Sequence, residues 1–261
     1  MNKKNTVQAD FLVATVELNS LTDEELSTFE TMQIDGNLKK LYGYKGFAKE
    51  GVFVGDNGHR LLVQAAGSKA NEVISLVNPK WPTLSVARLD MQITVLVGDA
   101  DSIIRSTTPP PKYRAVRLVN LGERGSTLYV GSPKSRCRLR LYNKTAQLGE
   151  SRVQDLEKLR IELQLRDDYA DRALINMLAG TGDAFFRYYV SKMTDAYIVS
   201  IIERAFSNSN MLAMTEVRTE KSDDGRKVWL EHSVIPALMR LAVYDREYYD
   251  DFLRRLNELV D

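Results

Sequence analysis

Cysteine is nearly absent from this chain. Cys137 is the only one, which excludes an intramolecular disulfide and any cysteine-cluster zinc site. Histidine is almost as scarce: His59 and His232 stand alone and pair in no ligand spacing. No apolar run reaches membrane-spanning length, and the opening MNKKNTVQAD has no signal-peptide core. A membrane partner is therefore not expected, and a cytoplasmic protein is. A surplus of one charge is missing too, since Lys+Arg number 36 and Asp+Glu 35. What is present is ample apolar content, 44% of 261 residues, which excludes global disorder and suits one large domain or two smaller ones.

The near-neutral total hides segregation. From Lys112 to Lys144 the cations are Lys112, Arg114, Arg117, Arg124, Lys134, Arg136, Arg138, Arg140 and Lys144, against the single acid Glu123. Acids gather instead in Asp23 to Glu30 and near the C-terminus. Local charge is what attracts phosphate. Within the basic stretch, RCRLRLYNK splits at strand period into two faces. Arg136, Arg138, Arg140, Tyr142 and Lys144 point one way; Cys137, Leu139, Leu141 and Asn143 point the other. One tyrosine hydroxyl thus sits in a row of cations on a strand whose back is mostly apolar. Taken alone, such a segment is an ordinary solvated edge strand, and Cys137 a buried, inert thiol.

Along the chain, ADFLVATVEL reads as a strand. SLTDEELSTFETM starts a helix capped by Ser20 or Thr22, with Asp23, Glu24 and Glu25 in its first turn. GFAKEGVFVGDNGHRLLVQAAG reads as a hairpin. KANEVISLVNP is a short helix ending at Asn78-Pro79, and TLSVARLDMQITVLVGD is a long strand. DSIIRSTTPPPKY reads as a loop joining two halves. A strand over YRAVRLVNL follows, then two strands joined through Gly131-Ser132-Pro133. After a polar helix or loop from Leu148, EKLRIELQLRDDY is another long strand. From Asp171 the pattern is helical: DRALINMLAG, DAFFRYYVSKMTDAYIVSIIERAF, and after an irregular stretch two closing helices from Val228 and Arg246, with Pro236 a kink in the first. The fold class expected is α+β: two pseudo-repeated antiparallel β-rich units forming a central sheet, flanked by helices, with a helical C-terminal region. The boundaries are an N-terminal β-rich half at 1–107, a β half with the tyrosine strand at 112–170, and helices at 171–261, integrated as one catalytic domain.

The repeat rests on an internal echo. ARLDMQIT and LRIELQLR share Arg, apolar, acid, apolar, Gln, apolar, so that Arg88, Asp90 and Gln92 match Arg160, Glu162 and Gln164. If the two units meet face to face or merge, they supply two carboxylates, each flanked on its own face by an Arg and a Gln. Hard oxygen ligands of this kind suit Mg²⁺ or Mn²⁺, and such a cation stabilises charge on a reacting phosphate. Either acid alone is more simply an Arg–acid pair on a wet face. A tyrosine phenol, with an ordinary pKa of roughly 10, is a poor nucleophile; Arg138, Arg140, Lys144 and a metal are expected to favour its phenolate. The enzyme reading fails if the fold buries that ring or sets it far from both carboxylates.

These residues resemble the replication initiation factor family (Rep_trans). TLYVGSPKSRCRLRLYNK followed by LRIELQL fits the family's apolar strand, Gly-Ser, basic residue, Ser, then Arg-aliphatic-Tyr-x-Lys and Arg-aliphatic-Glu. Arg88 to Asp90 resemble its earlier Arg-aliphatic-Asp strand, and Lys227 to Leu241 its C-terminal Trp-Leu and Val-x-Pro-Ala/Ser-Leu helix. Pro133 departs from the pattern, and the chain before Leu84 fits it only loosely. The resemblance implies initiation of rolling-circle replication: one strand of an origin nicked and rejoined through a covalent 5′-phosphotyrosine, by a metal-dependent enzyme working as a homodimer with a host helicase. Its partner is origin DNA, double-stranded and extruded single-stranded. The nucleophile maps onto Tyr142, with Arg140 and Lys144 steadying the phosphate. Asp90 and Glu162 are the metal candidates, and Lys134, Arg136 and Arg138 the DNA contacts. The family dispenses with the His-hydrophobe-His metal motif, as this chain does. Two other readings use the same residues: a non-catalytic nucleic-acid-binding regulator, and a nuclease that employs water.

Overall fold

Strand-period alternation is strongest in the two echoing segments, and in the computed structural model these lie side by side. The structure describes residues 7–32, 35–119, 125–206 and 250. The chain divides into two compact units, Met1–Val217 and Arg218–Asp261, and apart from Asp250 everything described belongs to the first. The helices expected from Val228 and Arg246, the Pro236 kink, His232 and Tyr244 lie outside the described residues.

The chain opens with β1 (Gln8–Glu17) and α1 (Asp23–Thr31). The Thr22 hydroxyl accepts from Glu25 N while the Glu25 carboxylate accepts from Thr22 N, a reciprocal cap at the start of α1. The stretch expected as a hairpin is larger: β2 (Asn37–Leu41), β3 (Tyr44–Lys49), β4 (Val52–Asp56) and β5 (Arg60–Ala66) form a meander. Next come α2 (Lys69–Leu76) and β6 (Ser85–Val97). The expected loop over DSIIRST is a helix, α3 (Ala100–Ser106), capped by Asp99, whose carboxylate accepts from Ser102 N at 2.8 Å. Residues 107–114, which contain the triple proline, are loop.

In the second half, β7 (Ala115–Leu118), β8 (Thr127–Val130) and β9 (Cys137–Asn143) are followed by α4 (Lys144–Leu148) and β10 (Glu157–Arg166). The β8–β9 turn requires glycine at its start: Gly131 has φ +100°, and a Cβ there would come to 3.2 Å of Cys137 O. The chain continues with α5 (Asp168–Leu178), α6 (Gly182–Met193) and α7 (Ala196–Phe206). The segment read as one helical run from Asp183 breaks at Thr194-Asp195, where the Asp195 carboxylate accepts from Tyr197 N and Ile198 N, both at 3.1 Å.

All described strands join one antiparallel sheet of ten, ordered β2-β3-β4-β5-β1-β6-β10-β9-β8-β7. The fold is α+β, with the echoing strands β6 and β10 adjacent at its centre. Their register sets Leu89, Met91 and Ile93 opposite Leu165, Leu163 and Ile161, and Leu139 and Leu141 of β9 continue the apolar rows. These side chains are at most 2% exposed and share one core with Ala170, Leu174 and Phe186 of the overlying helices. At the strand ends, the buried Glu157 carboxylate accepts from Ala100 N at 2.8 Å, Asn143 Nδ2 at 3.2 Å and Arg152 Nε at 2.9 Å. None of the described helices is long and apolar enough to cross a membrane.

Leu163 is fully buried between β6 and β9. Leu163→Ala should lower unfolding free energy by about 2–5 kcal/mol, as a cavity left in a closely packed core does; urea titration followed by circular dichroism measures it.

Candidate active face

The register that sends leucines to the core sends the polar set to the other face. Opposite residues across β6, β10 and β9 run Thr94–Arg160–Tyr142, Gln92–Glu162–Arg140 and Asp90–Gln164–Arg138. The sheet thus brings together Asp90, Glu162, Arg138, Arg140 and Tyr142. Glu162 is diagonal to both Asp90 and Tyr142. Asp90 and Tyr142 are two strands and four register positions apart, about 16 Å along an ideal sheet. The phenol therefore neighbours one carboxylate and not both.

The row of cations is shorter than the sequence implies. Lys144 is the first residue of α4, its ammonium 2.9 Å from Gln147 Oε1. Arg136 precedes β9 and turns away, to Asp168 at 2.7 Å and over the Tyr169 ring at 5.4 Å. Lys134 is exposed in the β8–β9 turn. Arg138 and Arg140 remain on the face, over the rings of Tyr129 and Tyr142, each at 4.0 Å. Their Nε atoms are buried with no hydrogen-bond partner among the described residues.

Each acid is held by an arginine. Arg88 grips Asp90 through two bonds of 2.8 and 2.5 Å. Glu162 accepts from Gln164 Nε2 at 2.9 Å and lies 3.8 Å from Arg140 Nη1. Both acids are 3% exposed. Burial raises both carboxyls above their ordinary range, and for Glu162 the charge of Asp90 adds to the rise. Sequence reasoning missed Asp10. It sits at a bulge in β1, on this polar face, 3.4 Å from Arg160 Nη1, and its charge is felt by Asp90, Glu162 and Lys144. The bulge breaks the period of two that would have revealed it. Among the described residues no three His, Cys, Asp or Glu side chains converge as metal ligands.

Tyr142 differs from expectation in two respects. Its ring is 3% exposed, although it joins neither hydrophobic cluster of the described residues; Arg140 covers it, with Lys144 Nζ 5.8 Å from the centroid. The phenol pKa is raised, not lowered. Burial is the main cause and the Glu162 charge the next; Arg160 and Arg140 pull the other way without prevailing. Tyr129 is packed under Arg138, Cys137 is held inert with its pKa pushed up to about 12 by burial, and His59 is exposed at a hairpin tip.

The model of the replication initiation factor family (Rep_trans) matches residues 90–256. The rolling circle replication initiator protein from Geobacillus stearothermophilus is similar in structure, with a TM-score of 0.58 and 17% identity, over 80% of this chain and 99% of its own. At that identity the likeness is one of fold. No match was found among the curated proteins.

Because burial raises the Glu162 carboxyl, its charged form opposes folding. Wild-type stability relative to Glu162→Gln should therefore rise as pH falls from neutral through the raised folded value, levelling off below the unfolded value near 4.3. Urea unfolding of both proteins from pH 4 to 8 checks the sign.

Proposed function

The chain belongs to the replication initiation factor family, and on that premise we propose that it nicks and rejoins one strand at a rolling-circle replication origin. The observation that carries this reading is the polar sheet face, where one tyrosine lies beneath arginine and diagonal to a buried carboxylate. Tyr142 would attack the scissile phosphorus. A phenol O–P bond forms, the bond to the 3′ oxygen breaks, and that oxygen takes up a proton as the 3′ hydroxyl that primes synthesis. The 5′-phosphotyrosine conserves the phosphodiester for rejoining, so closure needs no nucleoside triphosphate.

Arg140 and Lys144 would move from the ring to the incoming phosphate, which uncovers the phenol as the strand binds. Arginine suits this exchange, because its planar fork matches phosphate oxygens and its buried Nε lacks a partner among the described residues. Arg138 and Lys134 would hold neighbouring phosphates; Arg136, already on Asp168, would join them only by changing partner. Asp90 and Glu162 would hold Mg²⁺ or Mn²⁺, a fit supported by an all-oxygen donor set, two buried like charges and the flanking Gln92 and Gln164 amides. Bound there, such an ion would supply Lewis acidity to a phosphate oxygen and would offset the Glu162 charge, which comes after burial among the causes that raise the phenol. A homodimer and a recruited host helicase complete the proposal.

One observation favours a second reading. A tyrosine that is 3% exposed under cations is also what a non-catalytic DNA-binding regulator would carry. With Mn²⁺ and a labelled single-stranded origin oligonucleotide, the chain should form a covalent adduct, and Tyr142→Phe should abolish it while sparing binding. Asp90→Ala or Glu162→Ala should weaken the metal requirement's apparent affinity about 10- to 100-fold or more. A regulator would form no adduct and tolerate both alanines; a water-using nuclease would cut without an adduct.

A further inference from the structure

At the end of the sheet, on the helical side of the β8–β9 turn, lies a second basic cleft of about 740 Å³. The loop before β7, the turn, α5 and α6 line it. Lys112, Arg136, Arg172 and Lys192 reach it from four separate segments. The acid among them is Asp168, shared by Arg136 at 2.7 Å and Arg172 at 4.0 Å. Lys112 and Lys192 have no ion pair among the described residues, and the Arg172 Nε is buried without a hydrogen-bond partner there. The cleft therefore carries uncompensated positive charge.

It also carries an exposed ring on a rigid base. Tyr189 is packed by Tyr169 and Phe185, at centroid distances of 5.4 and 4.7 Å. Tyr188 and Tyr189 meet T-shaped at 5.1 Å and 88°, and Tyr188 is 46% exposed. Lys192, one helical turn on, lies 5.2 Å from the Tyr188 centroid. Lys192 lies over the Tyr188 ring, and an ammonium on a flexible stem is drawn off by a phosphate, which leaves the ring face to a nucleobase.

We propose that this cleft binds single-stranded DNA, with a base stacked on Tyr188 and adjacent phosphates on Lys112, Arg172 and Lys192. A duplex presents phosphates but keeps its base faces stacked internally, so the ring would go unused. β9 leaves the cleft at Cys137 and carries Arg138, Arg140 and Tyr142 onward on the opposite face of the sheet, so a strand held in the cleft reaches the proposed nicking face by passing the sheet edge at the β8–β9 turn. From Arg136 to Tyr142 an extended strand covers about 20 Å, a span of a few nucleotides. The inference rests on the proposed function for the identity of the polymer and not for the binding itself.

Fluorescence anisotropy with a labelled oligo-dT, in EDTA so that no chemistry occurs, tests it on the full chain. Tyr188→Ala should weaken binding about 5- to 100-fold, the range stacking of one base implies, whereas Tyr188→Phe should bind as the parent does. Lys192→Gln should reduce the slope of log K against log salt by about 0.7. Thermal melts of each variant separate lost binding from lost folding, and an unfolded Tyr188→Ala leaves the Lys192→Gln slope to decide. Parental affinity in Tyr188→Ala, an unchanged salt slope, or an equal loss with a blunt duplex overturns the proposal. The covalent-adduct assay reads the opposite face of the sheet, so the nicking proposal and this one stand or fall separately.

Discussion

Backbone pairing between β6 and β10 commits both faces of the sheet at once. With a side-chain period of two, the register that stacks Leu89, Met91 and Ile93 against Leu165, Leu163 and Ile161 also sets Asp90 beside Gln164 and Gln92 beside Glu162. A slip of β10 by one residue would drive Glu162 into the leucine core and its leucines onto the polar face. The burial free energy of the apolar rows is thereby what holds two like charges close on the opposite face. Carboxylates in such a setting oppose folding at neutral pH, and a sheet centre free to choose would not carry them.

The arginines make the arrangement tolerable, and they also conceal it. Asp90 is gripped by Arg88, Glu162 is approached by Arg140, and Asp10 by Arg160. The same Arg140 lies over Tyr142. A cationic side chain on a flexible stem covers a ring differently from a leucine, since it can be drawn off by an anion without opening the core. Burial of the phenol is thus compatible with chemistry at the phenol, at the expense of a rearrangement of Arg140 and Lys144.

Much of this was legible in the residues. The two faces of RCRLRLYNK between Cys137 and Asn143, the echo of ARLDMQIT in LRIELQLR and the Thr22 cap all reflect local periods or local hydrogen bonds, and they appear where the pattern puts them. What was illegible depends on the third dimension. Diagonal placement separates Asp90 from Tyr142, a consequence of register between strands distant in sequence. The Asp10 bulge hides a third acid. The rise in the Tyr142 pKa reflects burial outweighing nearby cations, and burial cannot be read from a charge count. Arg136 leaves its row because the strand begins one residue later, and α3 was masked by the prolines that follow it. The adjacency of Tyr188 and Tyr189 in the chain gave no hint that one serves as a plinth for the other.

Glu157 has an implication for motion. Its carboxylate ties the first amide of α3, the side chain of Asn143 and Arg152 together at the margin of the sheet, and Asn143 directly follows Tyr142. One main-chain amide and two side chains converge on this buried carboxyl and tie α3, the end of β9 and the segment before β10 together. With β9 also paired along both edges, to β10 and β8, the repositioning a substrate asks of the phenol falls to torsions about its own side chain and those of the cations above it.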